Sequence, residues 1–549
     1  MKPALARIGK TAAAITALGL VMTSCSAGNS NNSSPEVGNT EIELSATTPE
    51  PVGDIDHFSW RLKAEPFSLS PLYTFDWDDN TVASNLCESL LRWNADLATS
   101  PGLAESFENP APQTWIYKIR EGVKFHDGSE MTARDVVASL KAHQDPKLAS
   151  FWQSSFQNVK SIQETGKNEV TVKLTKPDLQ FNLLMAASPG AISSAESLEK
   201  QGQDYGNQTN GVNCTGPFKF DSWQAGEKIE LSRFEDYWDP ELKAKSESMT
   251  FVVMNDANSA ASAMQTGEID GGWRVGSNSI EPLKASGPGE IYFGTSTTIQ
   301  SLIVSDLDGP LGDVRVRQAL SMAINRQALS QAATQGIASP ATSLTPQSVW
   351  AGADEQVLAR AFEESPNTDY DIERAKELIA EAGAEGAKIT LASTTYDPTL
   401  IVIAQGVSSA GAEIGLDITI DDRPANTYTT LFSDPSAREG VDMFVTSWYL
   451  SVTDPLEMYA VLRSGEFSNY GEFSDENFDA LTNKALETND PAERLELAAE
   501  VQAIANEQLP WIPLLDLPTT VWQGERITGV EPSINFLYYP WAAKIGKAE

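Results

Sequence analysis

Along the chain the apolar positions switch repeatedly between a period of two and a period near 3.6. Trp115, Tyr117 and Ile119 alternate with polar residues within Thr114–Arg120, which predicts a strand with one buried face. Val170, Val172 and Leu174 predict a second strand of the same kind. Helical spacing takes over at Thr132, where Thr132 and Asp135 make a capping-box-like start ahead of Val136, Val137 and Leu140. Val316, Leu320 and Ile324 stripe another helix. Asp371 opens a third, with Ile372, Ala375, Ile379 and Ala382 on one face and Gly383 as its stop. Asp490-Pro491 sets an N-cap before a proline at the first helical position, ahead of Leu497, Val501 and Ile504. Strands and helices mixed in this way, with no repeat of fixed period, predict an α/β protein. These stripes are core and carry no function by themselves.

The first 53 residues follow no such pattern. Lys2, Arg7 and Lys10 make a charged start, and Thr11–Ser24 is a 14-residue uncharged, mostly apolar run. A membrane span needs roughly 20 apolar residues, so residues 1–24 read as a signal peptide. The run ends in Met22-Thr23-Ser24-Cys25, small residues before a cysteine, the pattern of a bacterial lipobox with Met where Leu is more usual. Cleavage there and lipidation of Cys25 would anchor the protein to the outer face of the cytoplasmic membrane, in the cell envelope. Residues 25–53 are rich in Ser, Asn, Thr, Pro and Gly, and read as a disordered tether.

Composition narrows the partners. The chain carries 39 Lys+Arg against 76 Asp+Glu, and losing the signal takes its net charge from −37 to −40. Nucleic acid binding rests on neutralising phosphates with Lys and Arg, so nucleic acid is excluded as a partner. Three histidines (His57, His126, His143) leave little material for a metal site, and no metal or cofactor is expected. With Cys25 lipidated, Cys87 and Cys214 remain, either as one disulfide in an oxidising compartment or as two buried thiols.

Catalytic motifs are missing. Gly9-Lys10-Thr11 lacks the glycine that a phosphate-cradling loop needs at Ala4, and no G-x-S-x-G elbow occurs. Ser197-Leu198-Glu199-Lys200 matches a serine–lysine pattern without its companion motifs. In Phe125-His126-Asp127-Gly128 the His and Asp are neighbours that point to opposite faces of a strand, so a turn is expected and not a catalytic pair. What remains is 13 Trp, 13 Tyr and 20 Phe, side chains suited to embracing a ligand. The reading is a binding protein, not an enzyme.

Several segments, in order, resemble a known family. They run from Pro101-Gly102-Leu103-Ala104-Glu105-Ser106 through Trp115–Gly128 and Met131-Thr132-Ala133-Arg134-Asp135-Val136-Val137. Cys214-Thr215-Gly216-Pro217-Phe218, Asp236-Tyr237-Trp238 and Gln265–Asp270 follow, then Asp313–Leu320 and Tyr370-Asp371 with Ala375–Leu378. Together they resemble the dipeptide/oligopeptide-binding proteins, the family 5 solute-binding proteins of ABC importers, over roughly residues 55–545.

The resemblance implies an α/β fold of the periplasmic-binding-protein type, hinged and two-lobed (cluster C), with a subdomain inserted in lobe one. Lobe one would comprise 54–92, 211–300 and 517–549, the inserted subdomain 93–210, and lobe two 301–516. It implies a monomer that closes on a peptide or other small polar solute and is recognised by the importer's membrane subunits. Metal chelates, haem, opines or oligosaccharides on the same fold are the rival ligands, and a sensor lipoprotein or a serine–lysine enzyme are the rivals of another class. Ser447–Pro455 follows the apolar strand Met443-Phe444-Val445 and is the ligand-facing candidate, with Trp448, Tyr449, Ser451 and Asp454. Peptide-binding relatives carry an amine-gripping acid three positions after this Trp. Here that position is Ser451, and Asp454 lies six positions after the Trp. Tyr73, Phe75, Asn85, Trp273, Arg274 and Tyr470 are further cleft candidates beside matched segments, Arg274 as partner for a ligand carboxylate. The Cys214–Pro217 segment reads as a turn on the hinge side.

Overall fold

The computed structural model describes residues 42–286, 288–362, 366–395 and 397–549. The signal segment and Cys25 lie outside them. Residues 44–53, the end of the expected tether, run along the folded body. Ser45 N donates to Phe293 O, Val52 N donates to Lys547 O, and the buried Thr48 hydroxyl donates to Val530 O.

Lobe one opens with strand β1 (Ile55–Leu62) and helix α1 (Trp77–Ala83), which Asp76 caps by accepting from Trp77 N. A separate four-stranded sheet follows, built from β2 (Ala104–Ala111), β3 (Thr114–Ile119), β4 (Val159–Gly166) and β5 (Glu169–Leu174) in the order β2-β3-β5-β4. Trp115, Tyr117 and Ile119 turn inward from β3 as their alternation predicts, and Val170, Val172 and Leu174 do so from β5. Helix α2 (Ala133–Ala142) begins with the Thr132/Asp135 capping box and packs on this sheet. This sheet and helix form the inserted subdomain.

The chain then returns to lobe one as β6 (Phe218–Gln224), β7 (Lys228–Arg233), β8 (Ser246–Val253) and β9 (Gly271–Trp273). Strand β10 (Gly289–Val304) carries it into lobe two. There follow helices α3 (Val314–Ala323), α4 (Arg326–Thr334) and α5 (Ile372–Ala382), then β11 (Lys388–Ser393), α6 (Pro398–Glu413), β12 (Asp417–Asp422), β13 (Met443–Tyr449) and α7 (Pro491–Gln508). Asp371 caps α5, which ends on Gly383 in the left-handed region, and Asp490 caps α7 ahead of Pro491.

Strand β14 (Trp511–Gly524) brings the chain back. One mixed sheet of eleven strands spans both lobes in the order β12-β11-β13-β10-β14-β9-β1-β8-β7-β6, with the two-residue strand Ser339–Pro340 also on β14. The antiparallel pair β10/β14 runs from Gly289 opposite Gly524 to Ile303 opposite Trp511, with a register shift between Gly294 and Thr298. Residues 300/301 and 516/517, where lobe one passes into lobe two in the expected division, fall inside these two strands. Each lobe keeps its own core, lobe one around Phe58, Trp60, Phe251 and Trp541, lobe two around Leu391, Ile403, Phe444 and Tyr459. The fold is thus α/β and two-lobed, with a subdomain inserted in lobe one.

Cys87 and Cys214 form a disulfide with Cα atoms 4.9 Å apart. They precede and follow the insertion, so the bond closes its neck. The Cys214–Pro217 turn packs so tightly there that a Cβ on Gly216 would lie 2.5 Å from Leu86 O. His126 belongs to the same neck. Its Nε2 donates to Gly216 O at 3.1 Å, and burial lowers its pKa to about 4.

Candidate functional site

A cavity of about 90 Å³ lies where the lobes face each other. From lobe one it takes Lys63, just past the end of β1, Trp77 at the start of α1, and Arg274, just past the end of β9. From the hinge strands and lobe two come Thr298, Gln300, Ser447 and Asp397. In the pleat, Thr298 stands opposite Tyr449 and Gln300 opposite Ser447, so these four side chains share one face of the β10/β13 pair.

Charge gathers at one wall. Lys63 Nζ meets Asp397 Oδ2 at 3.0 Å, across the gap between the lobes. Asp397 also caps α6, its Oδ1 accepting from Thr399 N at 3.0 Å. Burial lowers the Lys63 pKa against the upward pull of Asp397. At Asp397 burial favours the neutral acid, but Lys63 and Arg274 outweigh it and hold the carboxyl well below the usual range. Arg274 is fixed from two sides. Its backbone sits at φ 55, tied by its N–H to Thr520 O at 2.7 Å, and its guanidinium lies 4.3 Å over the Trp77 ring. Two cations and the paired carboxylate of Asp397 thus line the cavity among neutral hydroxyl and amide groups, and behind them the buried Asp78, which accepts from Lys63 N at 2.9 Å, also feels both cations. Such a site can accept an anionic group of a small polar ligand.

The sequence candidates scatter around this cavity. Arg274 lines it. Tyr449 and Phe75 form the seam beside it: Tyr449 Oη donates to Phe75 O at 2.6 Å and takes Asn80 Nδ2 at 3.3 Å, and its ring meets Trp77 edge-on at 4.6 Å. Ser451 docks on the same seam, its hydroxyl accepting from Tyr538 Oη at 3.1 Å. Asp454 is buried in an ion pair with Arg494 and does not line the cavity. Trp448 packs edge-on against Trp511, and Tyr470 stacks on Trp511 at 6.1 Å in the core of lobe two. Trp273 stacks on Phe536 at 4.3 Å. Tyr73 donates to Leu148 O at 2.6 Å, and the fully buried Asn85 accepts from Ala542 N at 3.0 Å. Ser197 takes an amide hydrogen from Asn213 at 3.1 Å, and Lys200 is exposed.

Sequence reasoning missed Lys63, Trp77 and Asp397. Asp397-Pro398 carries the same local signal as Asp490-Pro491, a helix start, and nothing nearby tells a cap from a cap that also faces a cleft.

Two lobes joined by two strands and closed on a cavity that carries charged and hydroxyl groups make a hinged solute-binding receptor. Among the described residues no helix is long and apolar enough to cross a membrane. The model of the bacterial extracellular solute-binding proteins, family 5, matches residues 98–470, and the chain belongs to that family. It is 27% identical over 481 residues to the glutathione-binding protein GsiB of Escherichia coli O1:K1, covering 86% of this chain and 91% of that one. The fold is shared with DppA of Helicobacter pylori in complex with the peptide STSA, at TM-score 0.78 and 22% identity over 90% of this chain and 99% of that one. NikA of Staphylococcus aureus in complex with Ni(L-His)2 aligns at TM-score 0.74 and 21% identity, over 88% and 98%. The chain is thus an exported solute-binding receptor of an ABC importer, and a binding protein rather than an enzyme.

Proposed function

We propose that this receptor is held to the outer face of the cytoplasmic membrane through a lipidated Cys25 and captures a small peptide-like solute bearing a free carboxylate. The observation that carries this reading is the pair of cations, Lys63 and Arg274, at a cavity whose carboxylate Asp397 is already paired. A ligand carboxylate would find Arg274, whose guanidinium makes no ion pair with Asp397, in a partly buried wall where a charge-assisted bond counts for more than in water. GsiB is named for glutathione and DppA was solved with a tetrapeptide, which supports a ligand of this chemical kind. Neutral polar side chains of the cavity, among them Thr298 and Gln300 from the hinge strand β10 and Ser447 from lobe two, suit a ligand backbone.

The test has two steps. Native mass spectrometry of the mature protein purified from its own cells identifies what co-purifies. Calorimetry then compares that solute, or a dipeptide, with its carboxyl-amidated form in wild type and in Arg274→Ala. Amidation should weaken wild type by about tenfold or more, the worth of one charged hydrogen bond, and should matter little in the variant. Equal binding of both forms by wild type refutes the carboxylate assignment. Cys25→Ala should release the protein from membranes or block its processing, and a variant that stays membrane-bound with the same mature terminus refutes the anchor.

A further inference from the structure

The cleft holds two chambers. Beyond the first lies a second of about 140 Å³, which reaches Arg61, Met264, Asn278 and Val402. The two share Lys63, Val275, Gly276, Ser277, Asp397 and Thr399. The shared residues are the wall between them, and the Lys63–Asp397 ion pair stands in that wall. Lys63 belongs to lobe one and Asp397 to lobe two, so the wall exists only while the lobes are closed. Parting the lobes would merge the two chambers into one groove.

We infer that the Lys63–Asp397 pair is a gauge of ligand length, a reading that rests on the peptide-like ligand proposed above. A solute that fits the first chamber leaves the pair intact when the lobes close. A longer one runs through the wall and parts the two charges, whose side chains are only 13% and 20% exposed. The uncharged middle of a peptide offers neither a carboxylate for Lys63 nor an ammonium for Asp397. Parting them removes the mutual attraction of two largely buried ions, a loss that falls mainly on Lys63, since Asp397 keeps the pull of Arg274 and its bond from Thr399 N. Arg274 adds to the penalty at Lys63, because its positive charge already lowers the Lys63 pKa.

The test is a ladder of L-alanine peptides, from the dipeptide to the pentapeptide, titrated calorimetrically into the mature protein. Wild type should show a step, with affinity falling about tenfold or more between two successive lengths. Asp397→Asn keeps the helix cap while removing the charge, and Lys63→Met removes the other partner; both should flatten the step to about threefold or less. Lys63→Arg keeps the pair and should keep the step. Lys63→Met stands in if Asp397→Asn fails to fold. A wild type that binds all lengths without a step, or a step that both neutral variants retain, overturns the gauge alone. Absence of binding at every length in every variant overturns the peptide reading and the gauge with it.

Discussion

The neck of the inserted subdomain and the seam between the lobes are both places where separate parts of the chain meet, and they are built on opposite principles. At the neck a covalent bond, Cys87–Cys214, stands beside a carboxylate with every lone pair used. Glu88 accepts from Tyr237 Oη at 2.8 Å, Trp238 Nε1 at 2.9 Å, Thr215 Oγ1 at 3.0 Å and Arg92 Nη2 at 3.2 Å. Arg92 meets a second acid, Asp239, at 2.7 Å. Removing any member leaves a buried group unsatisfied. At the seam the contacts are few and scattered: Tyr449 on Phe75 O and Asn80, Ser451 on Tyr538, Thr453 Oγ1 on Leu97 O at 3.3 Å, Lys63 on Asp397. When the lobes part, each of these groups meets water in exchange, so each contact weighs little. A receptor of this kind needs a rigid half to present its wall and a seam that ligand binding alone can tip.

Breaking the neck should therefore be costly and functionally mild. The disulfide closes a sequence separation of 127 residues, which in the chain-entropy model is worth about 5 kcal/mol. Cys87→Ser with Cys214→Ser, unfolded in urea, should lose about that much stability or somewhat less. Its ligand affinity should stay within about twofold of wild type, because neither cysteine lines the cavity. A variant of near-normal stability that no longer binds would reverse the contrast between neck and seam.

The two regions should also fail at opposite ends of the pH scale. His126 at the neck and His143 in the subdomain have pKa values lowered by burial to about 4 and about 3, from an ordinary 6.5. Their unfolded forms bind protons first, so stability is present above pH 6.5 and drains as pH falls toward those values, by about 1.4 kcal/mol per pH unit for each group. Glu457 runs the other way. It holds the seam loop by accepting from Ser451 N and Val452 N at 3.1 and 3.0 Å, and burial, with Asp454 adding to it, pushes its pKa up to about 8. Its folded form keeps the proton longer, so its contribution is present below about pH 4.5 and is lost as pH rises to about 8. Urea midpoints taken from pH 4 to 8 should show a flatter acid limb in His126→Gln and a flatter alkaline limb in Glu457→Gln. Unchanged limbs in both variants would show that other groups set the profile.

The parts of this design that were legible in the sequence are those whose cause is local. Alternation put Trp115, Tyr117 and Ile119 on one face, and Asp371 with Gly383 marked both ends of a helix, because the residues that decide these features lie within a few positions. Ordered segment matches carried the two-lobed fold. The cleft was legible only to the level of its loop. Whether Asp454 faces a ligand is decided by Arg494, 40 positions away, and the surroundings of Ser451 by Tyr538, 87 positions away. Lys63 and Asp397 stand 334 positions apart, and each looks ordinary where it sits. A surface that exists only when two lobes close has no local pattern, since the residues on its two sides answer to different cores.

The smallest expected effect is the sharpest probe of the seam. Tyr449→Phe removes one hydroxyl and keeps the ring that packs edge-on against Trp77. In the closed form the hydroxyl bonds to Phe75 O and Asn80, and both partners become free to bond water once the lobes part. The change should therefore act on the closed form alone, by about 0.5–1.5 kcal/mol, the net worth of such a bond. That is roughly a two- to tenfold shift of the ligand-free equilibrium toward open. Global stability should hardly move, since neither lobe's core loses an atom. Spin labels on exposed positions of the two lobes report the balance as a distance distribution, with and without ligand. A shift toward long distances without ligand, abolished at saturation, is the expected result. An unchanged distribution accompanied by a lower urea midpoint would mean that Tyr449 is part of the permanent core, and the seam would then be stiffer than its contacts suggest.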